Sequence, residues 1–347
     1  MTETSQPPAA SPEGAATPER LPRRADALPE PTSPFEAAVV DLLVDLFVAY
    51  PVWGTLVGYH AVDASWSDVS EAGRVARAAM LRRSRARVEA LGEAELAPAE
   101  RIDRGILLEE LDGLLFSEEV LREEAWDALS AVSLMGSGLF GLLAREFAPW
   151  EVRGASLLAR LRGLPRLAQA AHDALTGLPG RPVSLLHLDT ALAQLRGVEE
   201  LVDGSVDEAR SRAAAGEAPD LVAPLEAAAH AAREALARFR TALDSDVRAR
   251  ASGEGRLGPD LFAQKLRLTL GSDLGVDELR RRAWADHAAV RAEMLRLARE
   301  QWPAWVPGEP LPAAAGGGAD AEGLLVRRVL DAIAVEHPQP DELIAFC

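Results

Sequence analysis

Apolar residues recur at helical spacing over most of the chain. In residues 102–115, Ile102, Ile106, Leu107, Leu111, Leu114 and Leu115 fall on one stripe, while Arg101, Asp103, Arg104, Glu109, Glu110 and Asp112 occupy the rest. This pattern predicts an amphipathic helix with one face against a core. The same period runs through Leu279, Ala283, Val290, Met294 and Leu297, with Asp277 placed as a cap ahead of it. Alanine-rich stretches at 70–91, 157–175 and 221–243 are also periodic. The most apolar run, 37–48, is interrupted by Asp41 and Asp45 and is too short to span a bilayer, so it predicts a buried helix. Strand signals are nearly absent. Turns are expected at Pro179–Pro182 and at 252–259, where Gly253, Gly255 and Gly258 cluster. The expected fold is therefore all-α, a multi-helix assembly of long antiparallel amphipathic helices.

Composition changes that picture at the ends. Residues 1–34 are rich in Pro, Ala, Glu, Ser and Thr without an apolar run, which predicts a disordered tail ahead of a helical domain at 35–347. A flexible Gly- and Pro-rich loop is expected near 308–323, around Gly316, Gly317 and Gly318. The first residues lack the basic start and apolar stretch of a secretory signal. The lone cysteine, Cys347, excludes an intrachain disulfide, and a cytoplasmic setting is expected. A net charge of −17 argues against a nucleic-acid backbone or an anionic membrane as partner. The run Arg280, Arg281 and Arg282 fits a solvated helix face. With Lys265 the single lysine and asparagine absent, the arginine excess reflects sequence bias rather than function.

Candidate chemistry is sparse. Residues 136–141 satisfy the G-x-G-x-x-G spacing, but without a preceding strand the glycines predict a close helix contact rather than a dinucleotide site. None of the six histidines is followed by Glu, and no two stand three or four residues apart, so no helical zinc pair exists. His187 with Asp189, and Asp286 with His287, each offer at most half a metal site. Glu109, Glu110 and Asp112 fit a solvated face, and His337 a helix end before Pro338. The most specific pair is His60 and Asp63, spaced so that the carboxylate can fix an imidazole tautomer. Flanked by Trp53, Tyr59 and Trp66, it can hold its own turn or line a cleft. No residue is assigned a catalytic, cofactor-binding or metal-binding role.

Val57, Gly58, His60, Asp63, Asp68 and Ser70 form a pattern that resembles the bacterial DUF885 family, which looks like helical zinc metallopeptidases. Residues 255–294 resemble the family's second block, with Phe262 where an aromatic hydroxyl is expected, and 181–197 a third. The resemblance runs from about Phe35 to the last residue and covers the N-terminal portion of the family layout. It implies one helical wall of a peptide-substrate cleft. Zinc, and the His-Glu-x-x-Pro-Gly-His motif that would hold it, would lie in a further C-terminal portion, so this chain alone is expected to be inactive. The expected partners are a peptide substrate or that missing portion. The alternative is a non-enzymatic helical scaffold that binds a partner.

Overall fold

The computed structural model describes residues 28–312 and 319–346; the expected tail before residue 28 and the middle of the 308–323 loop lie outside them. The chain divides into two compact units, one ending at Gly271 and the other beginning at Ser272. The first unit holds α1 (Pro34–Ala49), α2 (Pro51–Leu56), α3 (Glu71–Glu89), α4 (Pro98–Phe116), α5 (Ala128–Leu143), α6 (Trp150–Ala174), α7 (Leu185–Ala214), α8 (Val222–Ala242), the single turn α9 (Arg248–Arg250) and α10 (Pro259–Leu270). The second holds α11 (Val276–Trp305), α12 (Ala319–Ile333) and α13 (Leu343–Phe346). The architecture is all-α: among the described residues only two isolated bridges, Leu178 with Arg181 and Ser184 with Gly253, have β pairing. No single described helix is long and apolar enough to cross a membrane.

Local chemistry sets the helix starts. Ser33, Ser70, Asp127 and Ser184 cap α1, α3, α5 and α7, each accepting a backbone N–H of the first turn. Proline occupies the first helical position of α1, α2, α4 and α10, where its missing N–H leaves no bond unmade. The cap of α11 is Gly275, so Asp277 lies inside the first turn instead of capping it. There its carboxylate pairs with Arg280 at 2.6 Å.

Helices α5 to α8 form the main core, with α5 packed on α6 and α7, and α8 packed on the same two. Fully buried leucines from all four meet in it, among them Leu139, Leu161, Leu195 and Leu236. Ion pairs between α7 and α8 step along the antiparallel pair, Arg210 to Glu226 at 2.7 Å, Arg233 to Asp203 at 2.6 Å and Arg240 to Glu199 at 2.9 Å. An outer layer of α1, α3 and α4 packs through Leu42, Leu46, Met80, Leu81, Val88 and Leu111. The stripe expected along α4 is used only over its C-terminal part. Leu107, Leu111, Leu114 and Leu115 meet this layer, but Ile102 and Ile106 are 68% and 55% exposed. Helical period identifies a face; it does not say how far along the helix a neighbour extends.

The glycines of residues 136–141 are packing positions within α5. A β-carbon on Gly138 would stand 2.2 Å from the Trp66 ring, and one on Gly163 of α6 would stand 2.8 Å from the same ring. The indole is therefore held between two helices that glycine alone lets approach. Gly138→Ala is expected to lose about 1–3 kcal/mol in urea unfolding, because Trp66 has no room to yield towards Gly163.

In the second unit, Ala298, Trp302 and Val306 pack against Leu325 and Val329 of α12. Only the C-terminal end of α11 is buried. Trp284 and Val290 are 66% and 58% exposed, and Met294 and Leu297 are exposed beside them.

Candidate functional site

Two polar clusters lie under the segment from Tyr50 to Arg77. The first is the turn that follows α2. Residues 60–62 make one 3₁₀ turn, and Asp63 ends it with its side chain buried. His60 Nδ1 lies 3.0 Å from Asp63 Oδ2, and the imidazole stacks on Phe147 at 3.6 Å between ring centroids. Thr55 donates to Asp63 Oδ1 at 2.7 Å. Behind Thr55 is Arg160 of α6, which is wholly buried. Its guanidinium donates to Thr55 Oγ1 at 2.7 Å and to the Gly138 carbonyl at 2.5 Å, and lies over the Trp66 ring. The Trp66 indole N–H returns a bond to the Arg160 carbonyl at 2.8 Å. Burial pulls the Arg160 guanidinium down to about 10, with the nearby Asp63 charge opposing the shift. The cluster ties α2, the turn, α5 and α6 together. His60 and Asp63 thus sit in a bonded framework with no second imidazole beside them.

Asp68 and Ser70, the next residues of the same pattern, build the start of α3. Asp68 Oδ1 accepts the Ser70 N–H at 3.0 Å, and Ser70 Oγ accepts the Gly73 N–H at 3.2 Å. Gly73 is required there, since a β-carbon would stand 2.2 Å from the Asp68 carbonyl oxygen.

The second cluster was not foreseen from the sequence. The Arg77 side chain donates to Glu118 Oε1 at 2.8 Å, to Glu124 Oε1 at 2.6 Å and to the Asp68 carbonyl. Tyr50 Oη donates to Glu118 Oε1 at 2.5 Å. Burial and the bond to Glu118 push the Tyr50 phenol well above its ordinary range. Burial raises the Glu124 carboxyl, with Arg77 opposing it. Burial also disfavours the charge on Arg77, but the bond to Glu118 and the two carboxylate charges outweigh it. These side chains edge a cavity of about 260 Å³. A second, larger cavity of about 530 Å³ adjoins it and shares Val69 and Glu124.

The backbone that brings the two glutamates there is irregular. α4 runs into a π-helical turn, Ser117–Leu121, and Arg122 follows in the left-handed region at φ 48°. A π turn places one extra residue in a helix, and a left-handed non-glycine costs on the order of 1 kcal/mol; both concentrate at functional sites. Periodicity gave no signal of this, because an arginine and a run of glutamates read as solvent-facing.

The remaining candidates do not assemble. His187 Nδ1 stands 3.0 Å from Asp127 Oδ1, outside hydrogen-bonding alignment, while Asp189 pairs with Arg248 at 2.8 Å. His287 meets the edge of Trp284, and His337 Nδ1 lies by the Pro338 carbonyl. Glu109 and Glu110 are exposed, and Asp112 pairs with Arg85 at 2.6 Å. Arg280, Arg281 and Arg282 are exposed and paired with Asp277 and Glu278. Gly253, just ahead of the second block, and Gly255, its first residue, seat on the third: the Gly253 N–H donates to the Val183 carbonyl at 2.8 Å, and a β-carbon on Gly255 would meet Ser184 Oγ at 2.8 Å. No group of three or more His, Cys, Asp or Glu among the described residues is placed to hold a metal ion, so these residues do not fit a zinc centre.

No curated protein matches the chain. Among solved structures, a candidate lipoprotein of unknown function from Shewanella oneidensis shares the fold, with a TM-score of 0.70 and 22% identity over 90% of this chain. The match covers 55% of that protein, so this chain spans about half its length. The family of bacterial proteins of unknown function termed DUF885 matches residues 51–339, from the first residue of α2 to beyond α12, and the chain belongs to that family.

Proposed function

We propose that this chain is the N-terminal helical part of a longer DUF885 hydrolase of the zinc-peptidase kind, in which it forms one wall of the substrate cleft. The uncovered apolar face of α11 carries this reading. Val290, Met294 and Leu297 recur at helical spacing, as on a helix packed in a core, yet each is exposed, and Trp284 is exposed to one side of that stripe. The solved neighbour, of which this fold is about half, has further chain outside the matched part. On this reading the metal-binding motif belongs to that further part, and the present residues supply shape and substrate contacts.

The test is to sequence the source DNA through and past the codon for Cys347 and to express whatever product continues in frame. A His-Glu-x-x-Pro-Gly-His segment is expected, with zinc-dependent peptide hydrolysis by the extended product and none by residues 1–347 alone. Amide exchange along α11 should slow in the extended product. A stop codon with no such segment nearby overturns the proposal and leaves a non-enzymatic scaffold that binds a partner.

A further inference from the structure

We propose that the cavity between Tyr50, Arg77, Glu118 and Glu124 is a binding site for a primary ammonium group carried on a short apolar body. The proposal is independent of whether the chain continues or hydrolyses peptides.

Charge selects the ligand's polar end. Three carboxylates, on Glu118, Glu123 and Glu124, line the cavity against the single guanidinium of Arg77. Arg77 bonds one oxygen of Glu118 and one of Glu124, and Glu123 pairs with the half-exposed Lys265 at 3.4 Å. Glu118 is 5% exposed, and its second oxygen, Oε2, finds no hydrogen-bond partner among the described residues. A buried carboxylate oxygen without a donor is costly, so a native site supplies one. The terminal torsion of glutamate is broad, and a small turn of the carboxylate presents Oε2 to the cavity. A water there satisfies the hydrogen bond but leaves the excess negative charge. An ammonium satisfies both, with three donors in reach of Glu118 and Glu124. An anion would be repelled.

The rest of the ligand follows from the remaining lining. Val69, Leu114, Ala131, Leu134 and Ala171 are apolar, and the hydroxyls of Ser67, Ser117 and Ser130 add polar groups without charge. At about 260 Å³ the cavity is smaller than the range typical of drug-sized sites, about 300–1,000 Å³, and suits an aliphatic group of single-residue size. A free aliphatic amine and the N-terminal residue of a peptide share this chemistry.

Titration calorimetry of the full chain with isoamylamine, leucine amide and N-acetyl-leucine amide tests the site. Saturable binding is expected for at least one of the two amines, and none for the acetylated compound, which keeps the apolar body but loses the charge. Tighter binding of leucine amide assigns a peptide N-terminus, and tighter binding of isoamylamine a free amine; either supports the site. Glu118→Gln should weaken binding by at least about tenfold. Because that change also disturbs Arg77, Glu123→Gln, at a half-exposed position, serves as the second variant and should weaken it about threefold. Binding of both amines weaker than about 1 mM, equal binding of the acetylated compound, or unchanged affinity in both variants overturns the proposal.

Discussion

Arg77→Leu lowers the stability of the first unit by about 3–5 kcal/mol at neutral pH, the loss expected when one partner leaves a buried ion pair. The arginine joins α3 to the π turn through Glu118 and Glu124, and to the start of its own helix through the Asp68 carbonyl. Without it, the buried Glu118 carboxylate and the half-buried Glu124 carboxylate lose their shared cation, and Tyr50 alone bonds Glu118. Burial already raises the Glu124 carboxyl, and removing the cation raises it further. The sign of the pH dependence follows. A carboxyl whose folded-state pKa lies above its unfolded value, about 4.3 for glutamate, destabilises the fold at higher pH, and the penalty disappears as pH falls through the folded-state value. The gap between variant and parent should therefore narrow on acidification. Urea unfolding at neutral and mildly acidic pH measures it. The double variant Arg77→Leu/Glu118→Leu should recover part of the loss, since it removes a charge along with its partner. A gap that is constant with pH would show that Arg77 acts through packing alone.

The two arginines at the centre of these clusters mark the limit of what the sequence discloses. Helical period located most of α4, α6, α8 and α11, although the cap expected at Asp277 lies inside α11. The glycines at 138 and 141 were legible as contact positions, because nothing in the surrounding sequence offered the strand a nucleotide site needs. Period assigns every arginine to the solvent face, however, whereas Arg77, Arg153 and Arg160 are buried. What buries them is the set of carbonyls and carboxylates they meet: Arg153, for example, bonds the Leu142 and Ala148 carbonyls at 2.9 and 3.0 Å. Those partners come from other helices or from helix ends, and only the fold brings them together. The same holds at the turn. The spacing of His60 and Asp63 permits their hydrogen bond, but nothing in it indicates Thr55 and Arg160 behind them. The π turn at Ser117–Leu121 leaves no trace either, since one added residue in a Glu-rich stretch shifts no apolar position that period could detect.

Arg160→Met is expected to cost about 3–5 kcal/mol, with an effect centred on the turn after α2. Methionine matches the aliphatic stem but offers no donor, so the Gly138 carbonyl loses a bond and Thr55 Oγ1 loses the donor that orients it towards Asp63. Asp63, buried and bonded to His60 and Thr55, also loses the nearest opposing charge. Arg160→Lys separates charge from geometry. It keeps the cation but lacks the planar fork that reaches both acceptors and stacks over Trp66, so it should recover only part of the stability. Asp63→Asn in the Arg160→Met background should also recover part, because it removes the unopposed carboxylate. Global unfolding gives the size of the loss, and amide exchange at residues 54–65 gives its place. Faster exchange there, with the α7 and α8 amides unchanged after correction for the global loss, is the expected pattern. A variant within about 1 kcal/mol of the parent, or one whose exchange rises evenly through the bundle, would mean that the apolar packing of Trp66 against Gly138 and Gly163 holds this corner without the arginine.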